Sequence, residues 1–309
     1  MSKEIEIIER KGIGHPDTIA DNLSEELSYY LEKTYKDIYG KIMHYNVDKT
    51  LVSCGKIDYN KKKMIKPVKI VFSGNATKLP KKIMKQLLET VVKSVLEDEI
   101  NRGLKYKIYN FIAECSPDLT NNYKSKKSND TSFSVGHPLT ENEKLVLEIG
   151  GFLDRLHKVD NGLNKFGTDN KVMFINGEIY IALAFITKTT EEYYEAKKYI
   201  KKELESRFKR HFIINAADKK DMIFNTVTGT SLEQGDAGMT GRGNRYNGLI
   251  TPLKPMTMEA YAGKNNQTHI GKIYQKWSQE IAEKTKQNIL LVNKIGGNIK
   301  KPISFRWKN

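Results

Sequence analysis

From Asn225 to Tyr274 the chain reads NTVTGTSLEQGDAGMTGRGNRYNGLITPLKPMTMEAYAGKNNQTHIGKIY. Six of its 22 glycines fall between Gly229 and Gly248. The segment reads as a long loop, and a loop of this length is either functional or disordered. Met239, Leu249, Ile250, Met256 and Met258 argue against disorder. Glycine lets backbone N–H groups approach a ligand. Arg242, Arg245, Lys254, Lys264 and Lys272 add cations suited to phosphate. The acids are Glu233, Asp236 and Glu259, and an acid among bases suits a metal ion escorting a polyphosphate. The competing reading is a solvated surface loop.

The chain has 309 residues, room for two or three domains. No apolar run reaches the length of a membrane span, and the first residues lack the apolar core of a signal peptide. With two cysteines, Cys54 and Cys115, a reduced, cytoplasmic setting is expected. The net charge of +15 suits a polyanionic partner, either nucleic acid or a nucleotide-like substrate. Lysine runs such as Lys61–Lys63 are ordinarily solvated faces, so charge alone names no partner.

Alternating and helical periodicities follow one another along the chain. Ile5–Ile8 read as a strand, and GIGHPD at 12–17 as a turn into a helix with Leu23, Leu27, Leu31 and Tyr35 at i+4 spacing. Pro67–Ser73 read as a strand, and Lys81–Asn101 as a helix facing inward with Ile83, Leu87, Val91 and Val95. Leu104, Tyr106 and Ile108 alternate as a strand should, and the polar residues 116–129 read as a loop. Thr140 and Glu143 form a capping-box pattern before a helix carrying Leu145, Ile149, Phe152 and Leu156. Asn176-Gly177 predicts a tight hairpin turn within Val172–Ile186. A helix carrying Ala196, Ile200, Leu204 and Phe208 follows, capped by Thr189 and Glu192. Phe212–Asn215 and Met222–Val227 read as strands, Ile270, Tyr274, Trp277 and Ile281 as the last helix, and Ile289–Val292 as the last strand. Hairpins among helix-covered strands indicate an α+β fold. The expected division is 1–125, 126–220 and 221–309, with segments free to interchange.

His15 and Asp17 stand at a strand-to-helix turn, where a helix N-terminus favours anions. A histidine there can donate to a phosphate oxygen, and an aspartate can hold Mg²⁺. On four residues alone, a capping Asp17 and a packing His15 are the better account of the pattern. Asp130 falls in a turn, and Asp169 and Lys171 open a strand. His44, His137, His157, His211 and His269 show no metal-ligand spacing and read as structural. No P-loop, dinucleotide fingerprint, nucleophile elbow or paired CxxC is present.

Taken together, ERKGIGHPDTIAD near the start, NDTSFSVG at 129–136, DNKVM at 169–173, NTVTGTS at 225–231, GDAGMTGRGNRYNGLITP at 235–252, MEAYAGKN at 258–265 and HIGKIY at 269–274 resemble S-adenosylmethionine synthetases of the archaeal type. The resemblance implies attack of the methionine sulfur on C5′ of ATP, release of the whole tripolyphosphate and its hydrolysis. It implies that His15 contacts the leaving oxygen or the phosphates, and that Asp17 and Asp236 hold Mg²⁺. Lys171, Arg242 and Lys264 would bind the polyphosphate, and Asp130 and Asp169 would place methionine or adenosine. It further implies an assisting monovalent cation such as K⁺, three similar α+β domains about a pseudo-threefold axis, and active sites between subunits of a homodimer or larger homo-oligomer. Neither a membrane nor nucleic acid is an expected partner.

The chain departs from this pattern in places. Lys56–Lys63 replaces a glycine-rich segment, Asn75 stands in SGNAT where an arginine is usual, Ala113–Cys115 replace glycines, and Asn266 and Thr268 replace a proline and an asparagine. The last domain is expected to be reduced. These departures leave two other expectations open: a relative that adenosylates another thioether or nucleophile, or a non-catalytic binding subunit.

Overall fold

The computed structural model describes residues 5–53, 55–116, 127–128, 130–158, 165–220 and 222–308. Cys54, Asn129 and the expected loop around Asn121 lie outside the described residues.

Helix α1 (Pro16–Tyr39) carries two stripes. Leu23, Leu27, Leu31 and Tyr35 recur at i+4 and are fully buried. They pack with α2 (Lys81–Val95) against a sheet built from β2 (Tyr45–Asn46), β3 (Leu51–Ser53) and β6 (Val68–Ala76). Strand β7 (Tyr106–Glu114) runs parallel to β6 along its whole length. On the far edge, β13 (Gly238–Met239), drawn from the glycine-rich stretch, pairs with β3. The second stripe of α1 is polar: Asp17, Asp21, Glu25 and Glu32 all face residues from the C-terminal part of the chain.

A second sheet has the order β1 (Ile7–Lys11), β10 (Phe166–Ile175), β11 (Glu178–Phe185) and β12 (Phe212–Ile214). It shares a core with α4 (Glu141–Leu153) and α5 (Thr190–Phe208), including Val146, Ile149, Val172, Leu183, Tyr193 and Ile200. A third sheet, β9 (Ser132–Gly136), β14 (Asn288–Asn293) and β16 (Ile303–Trp307), packs on α6 (Ile270–Thr285) through Ile289 and Leu291. Two small ribbons remain: β4 (Lys56–Asp58) with β5 (Lys63–Lys66), and β8 (Lys127–Ser128) with β15 (Gly297–Asn298). The architecture is mixed α+β, the described residues form three hydrophobic cores, and no described helix is long and apolar enough to cross a membrane.

Local signals produce the expected structures. The Thr140 hydroxyl accepts from the Glu143 N–H while the Glu143 carboxylate accepts from the Thr140 N–H. Asn176 and Gly177 adopt φ of 48° and 98°, as a type I′ turn requires. Thr189 caps α5.

Other segments differ from expectation. The helix at Lys81 stops at Val95, and a short α3 (Glu97–Asn101) follows. The buried residues of α2 are Met84, Leu88, Val91 and Val92, with Ile83, Leu87 and Val95 only partly covered. In α4 the inward residues are Val146, Ile149 and Leu153, and Leu156 falls in a separate 3₁₀ turn. Both helices are apolar on adjoining faces, so packing against neighbours decides which face is inward. Met222–Val227 forms only isolated bridges, Lys219↔Met222 and Phe185↔Asn225. Ile289–Val292 is not the last strand, because β16 pairs beyond it.

Candidate active site

The first group forms where β1 ends and α1 begins. Pairing of β1 with β10 sets Lys11 opposite Lys171. Past the strand, the Gly12 N–H donates to the Asn170 carbonyl (2.6 Å) and the Gly14 N–H to that of Thr168 (3.0 Å). A Cβ on Gly14 would lie 2.1 Å from Thr168 Oγ1, so only glycine permits this approach. His15 then caps α1, its Nδ1 accepting from the Asp17 N–H at 3.1 Å, with Pro16 at the first helical position.

The glycine-rich stretch closes over this turn. The Asp17 Oδ1 accepts from the Met239 N–H (3.1 Å), and the Asp21 Oδ1 from the Gly241 N–H (2.7 Å). A Cβ at Gly238 would lie 1.9 Å from the Pro16 carbonyl oxygen. Glu233 is buried and accepts from the N–H groups of Val227 (2.8 Å) and Thr228 (2.6 Å), folding the loop back on itself. Ser231 stands between two acids, its hydroxyl donating to Asp169 Oδ2 (2.5 Å) with Asp236 Oδ2 3.2 Å from the same oxygen. Arg242 extends into solvent, its side chain 72% exposed and its Nε 3.9 Å from Asp17 Oδ1. Arg245 instead turns back onto the loop and braces it, donating to the carbonyls of Gly241, Gly243 and Thr257.

Beneath these residues sits Lys11, a lysine outside the set expected from the sequence. It donates from Nζ to Asp17 Oδ2 and to the Arg242 carbonyl, both at 2.8 Å. Burial pushes the Asp17 carboxyl up, but the Lys11 and Met239 hydrogen bonds outweigh it and leave the group below its ordinary range. Burial, then Lys171 and Lys11, lowers His15 to about 4. His15 is therefore neutral at neutral pH. Since Nδ1 accepts, the ring proton is on Nε2 and available for donation. Asp169 is raised to about 6 by burial, against the Ser231 hydrogen bonds that favour its ionised form.

Of the residues singled out from the sequence, His15, Asp17, Asp169, Lys171, Asp236 and Arg242 share this group. Lys264 and Asp130 belong to a second. Lys264 is 2% exposed, with Nζ 2.5 Å from Asp48 Oδ2 and 3.5 Å from Glu259 Oε1. Asp130, Glu259 and His269 bring three potential ligand atoms within 4.8 Å of one another. His269, read from sequence as structural, caps α6 by accepting from the Gly271 N–H at 3.1 Å. Burial, then Lys264, drives its pKa down to about 3. Lys272 joins the second group to α1 through Glu25 at 2.6 Å.

Asp21, Asp48 and Ser231 are likewise absent from the residues expected on sequence grounds. Asp21 carries a legible signal, because it lies one helical turn from Asp17 on the same face. Ser231 closes the NTVTGTS motif at 225–231, and Asp48 carries no signal beyond its residue type.

The family profile of S-adenosylmethionine synthetase (AdoMet synthetase) matches residues 1–306. The chain belongs to this family. It is 36% identical to the S-adenosylmethionine synthase of Sulfolobus acidocaldarius, with 97% of this chain and 84% of the relative covered. The probable S-adenosylmethionine synthase of Aquifex aeolicus is 38% identical over the same shares. The Methanococcus vannielii enzyme is 37% identical, covering 96% and 84%. Among solved structures, an unusual S-adenosylmethionine synthetase from Campylobacter jejuni superposes with a TM-score of 0.65 at 16% identity, covering 97% of this chain and 79% of that one, a likeness of fold.

Proposed function

We propose that this chain is a methionine adenosyltransferase, forming S-adenosylmethionine from ATP and methionine with release and hydrolysis of tripolyphosphate. The observation that carries the reading is the meeting of the two longest motifs: Asp17 of GHPD accepts the N–H of Met239 from GDAGMTGRG. Their union creates an anion-binding corner made of a helix N-terminus, an exposed Arg242 and the half-exposed Lys171.

Displacement at C5′ by sulfur needs no protein nucleophile. It needs two substrates held in line and charge stabilised on the departing triphosphate. In this reading the His15 Nε2–H donates to the leaving oxygen as a neutral imidazole, and Lys171 and Arg242 take up phosphate charge. Asp169, held by Ser231, orients the nucleoside or the amino acid. Asp17 and Asp236 would hold Mg²⁺. Asp17 is kept ionised, Asp236 is exposed, and a hard cation of this kind takes few carboxylates. When bound, the ion neutralises charge on the polyphosphate.

Lys264 and Asp130 enter the reading through a second subunit. The second group of one chain would complete the first group of its partner in a homodimer, with Lys264 released from Asp48 towards phosphate. Exposed apolar residues on the outer sheet faces support such an association: Tyr109 and Phe111 on β7, and Phe133, Ile303 and Phe305 on the third sheet. A K⁺ requirement, the three-domain pseudo-threefold arrangement and a cytoplasmic location complete the proposal. The test is incubation of purified protein with ATP, methionine and Mg²⁺ and identification of the product by mass. S-adenosylmethionine is expected, and its absence under saturating substrates overturns the reading.

A further inference from the structure

Between α2 and β7 lies a cavity of about 840 Å³ that shares no residue with either group above. Leu79, Met84 and Leu88 form one wall, and Tyr106, Ile108 and Ile112 the other. The wall residues of β7 alternate along the strand and turn towards α2, while Tyr109 and Phe111 take the opposite face. The volume lies within the ~300–1,000 Å³ of small-molecule sites, which combine apolar walls with a few placed polar groups.

The charged groups here are mostly cations. Lys78, Lys81, Lys85 and Lys93 line the cavity against Glu89 and Glu114. Lys78 meets Glu114 at 3.2 Å and Lys85 meets Glu89 at 3.9 Å. These are exposed pairs that an arriving anion can replace at little cost. Lys81 opens α2, whose first turn holds no acid and whose N-cap, Pro80, offers no side-chain hydrogen bond. The positive end of the helix and Lys81 therefore stand together at one end of an apolar trough.

We propose that this cavity binds an amphipathic organic anion, with an apolar body in the trough and one acidic head at Lys78 and Lys81. A neutral apolar guest would make no use of the lysines, and a cation would be repelled by them.

The probe is dodecanoate, titrated calorimetrically into the full chain below its aggregation concentration. Saturable binding at one site per chain is expected. Lys81→Glu should weaken it at least about tenfold, and Ile108→Trp, which fills the trough, should abolish it. Asn110→Trp on the same wall serves as a second blocking variant should Ile108→Trp fold poorly. Adenosyl transfer should be unchanged in all three. Absence of saturable binding, equal affinity for dodecanol, or affinity unaltered by both kinds of variant would overturn the proposal. A change of oligomeric state in Asn110→Trp on sedimentation would overturn it too, by assigning the groove to a second copy.

Discussion

The two groups along α1 hold similar residues in opposite states. In the first, the cations facing solvent are only loosely paired: Arg242 is 72% exposed and 3.9 Å from Asp17, and Lys171 is 4.0 Å from Glu9, while buried Lys11 holds Asp17 at 2.8 Å. In the second, Lys264 is buried and spent on Asp48 at 2.5 Å. A bound polyanion gains most from charges that are held in place without being neutralised. A buried pair mainly avoids the cost of an isolated charge. The first group is thus built to receive phosphate at once, and the second must exchange one partner for another.

The sharpest break in this contrast is a pair of variants that should separate stability from catalysis. Asp48→Ala leaves the Lys264 ammonium buried without its main partner, and should cost about 3–5 kcal/mol of folding stability in chemical denaturation. A loss under about 1 kcal/mol would mean that Glu259 suffices and the pair is not structural. Arg242→Ala should leave stability within about 0.5 kcal/mol yet lower kcat by about 10²–10³-fold. An unchanged kcat would remove Arg242 from the chemistry. His15→Ala should lower kcat by about 10²-fold. In the parent protein, the kcat/KM profile should show no His15 limb near pH 6.5, because the ring titrates at about 4. A limb near neutrality that vanishes in His15→Ala would contradict the neutral-donor role.

The smallest effect concerns Asp21, whose carboxyl is raised by burial from 3.8 to about 6. Between those values the folded chain binds more protons than the unfolded chain, so stability falls as pH rises through that window. Asp21→Asn should flatten the fall, as unfolding midpoints across pH 4–6 would reveal. A slope identical to that of the parent would deny Asp21 its perturbed titration.

Legibility in the sequence follows the range of the interaction. The apolar stripe of α1 is readable because Leu23, Leu27, Leu31 and Tyr35 repeat at the helical period, whereas Tyr29, Tyr30 and Ile38 form no second stripe of that length. In α2, Ile83 and Leu87 compete with Met84 and Leu88, and contact with α1 and the sheet breaks the tie in favour of the latter pair. Strand β16 is hard to read because its alternating run, Ile303 to Trp307, is only five residues long and stays largely exposed. Among the site residues, His15, Asp17, Asp236 and Arg242 are reached through motifs. Lys11 lies inside one of those motifs, yet its part depends on a contact with the Arg242 carbonyl, more than two hundred residues away.

The sequence by itself determined the caps at Thr140 and Thr189, the tight turn at Asn176-Gly177, the family and the set of charged residues. Hydrogen bonds within four residues and side-chain periodicity act over short stretches of chain, so their signals survive in a string of letters. Tertiary structure alone decided which charges meet. It joined Asp17 to Met239, brought Lys11 against Asp17 and the Arg242 carbonyl, and committed Lys264 to Asp48. Those outcomes depend on which surfaces exclude water together, and burial is a property of the assembled fold rather than of any single segment.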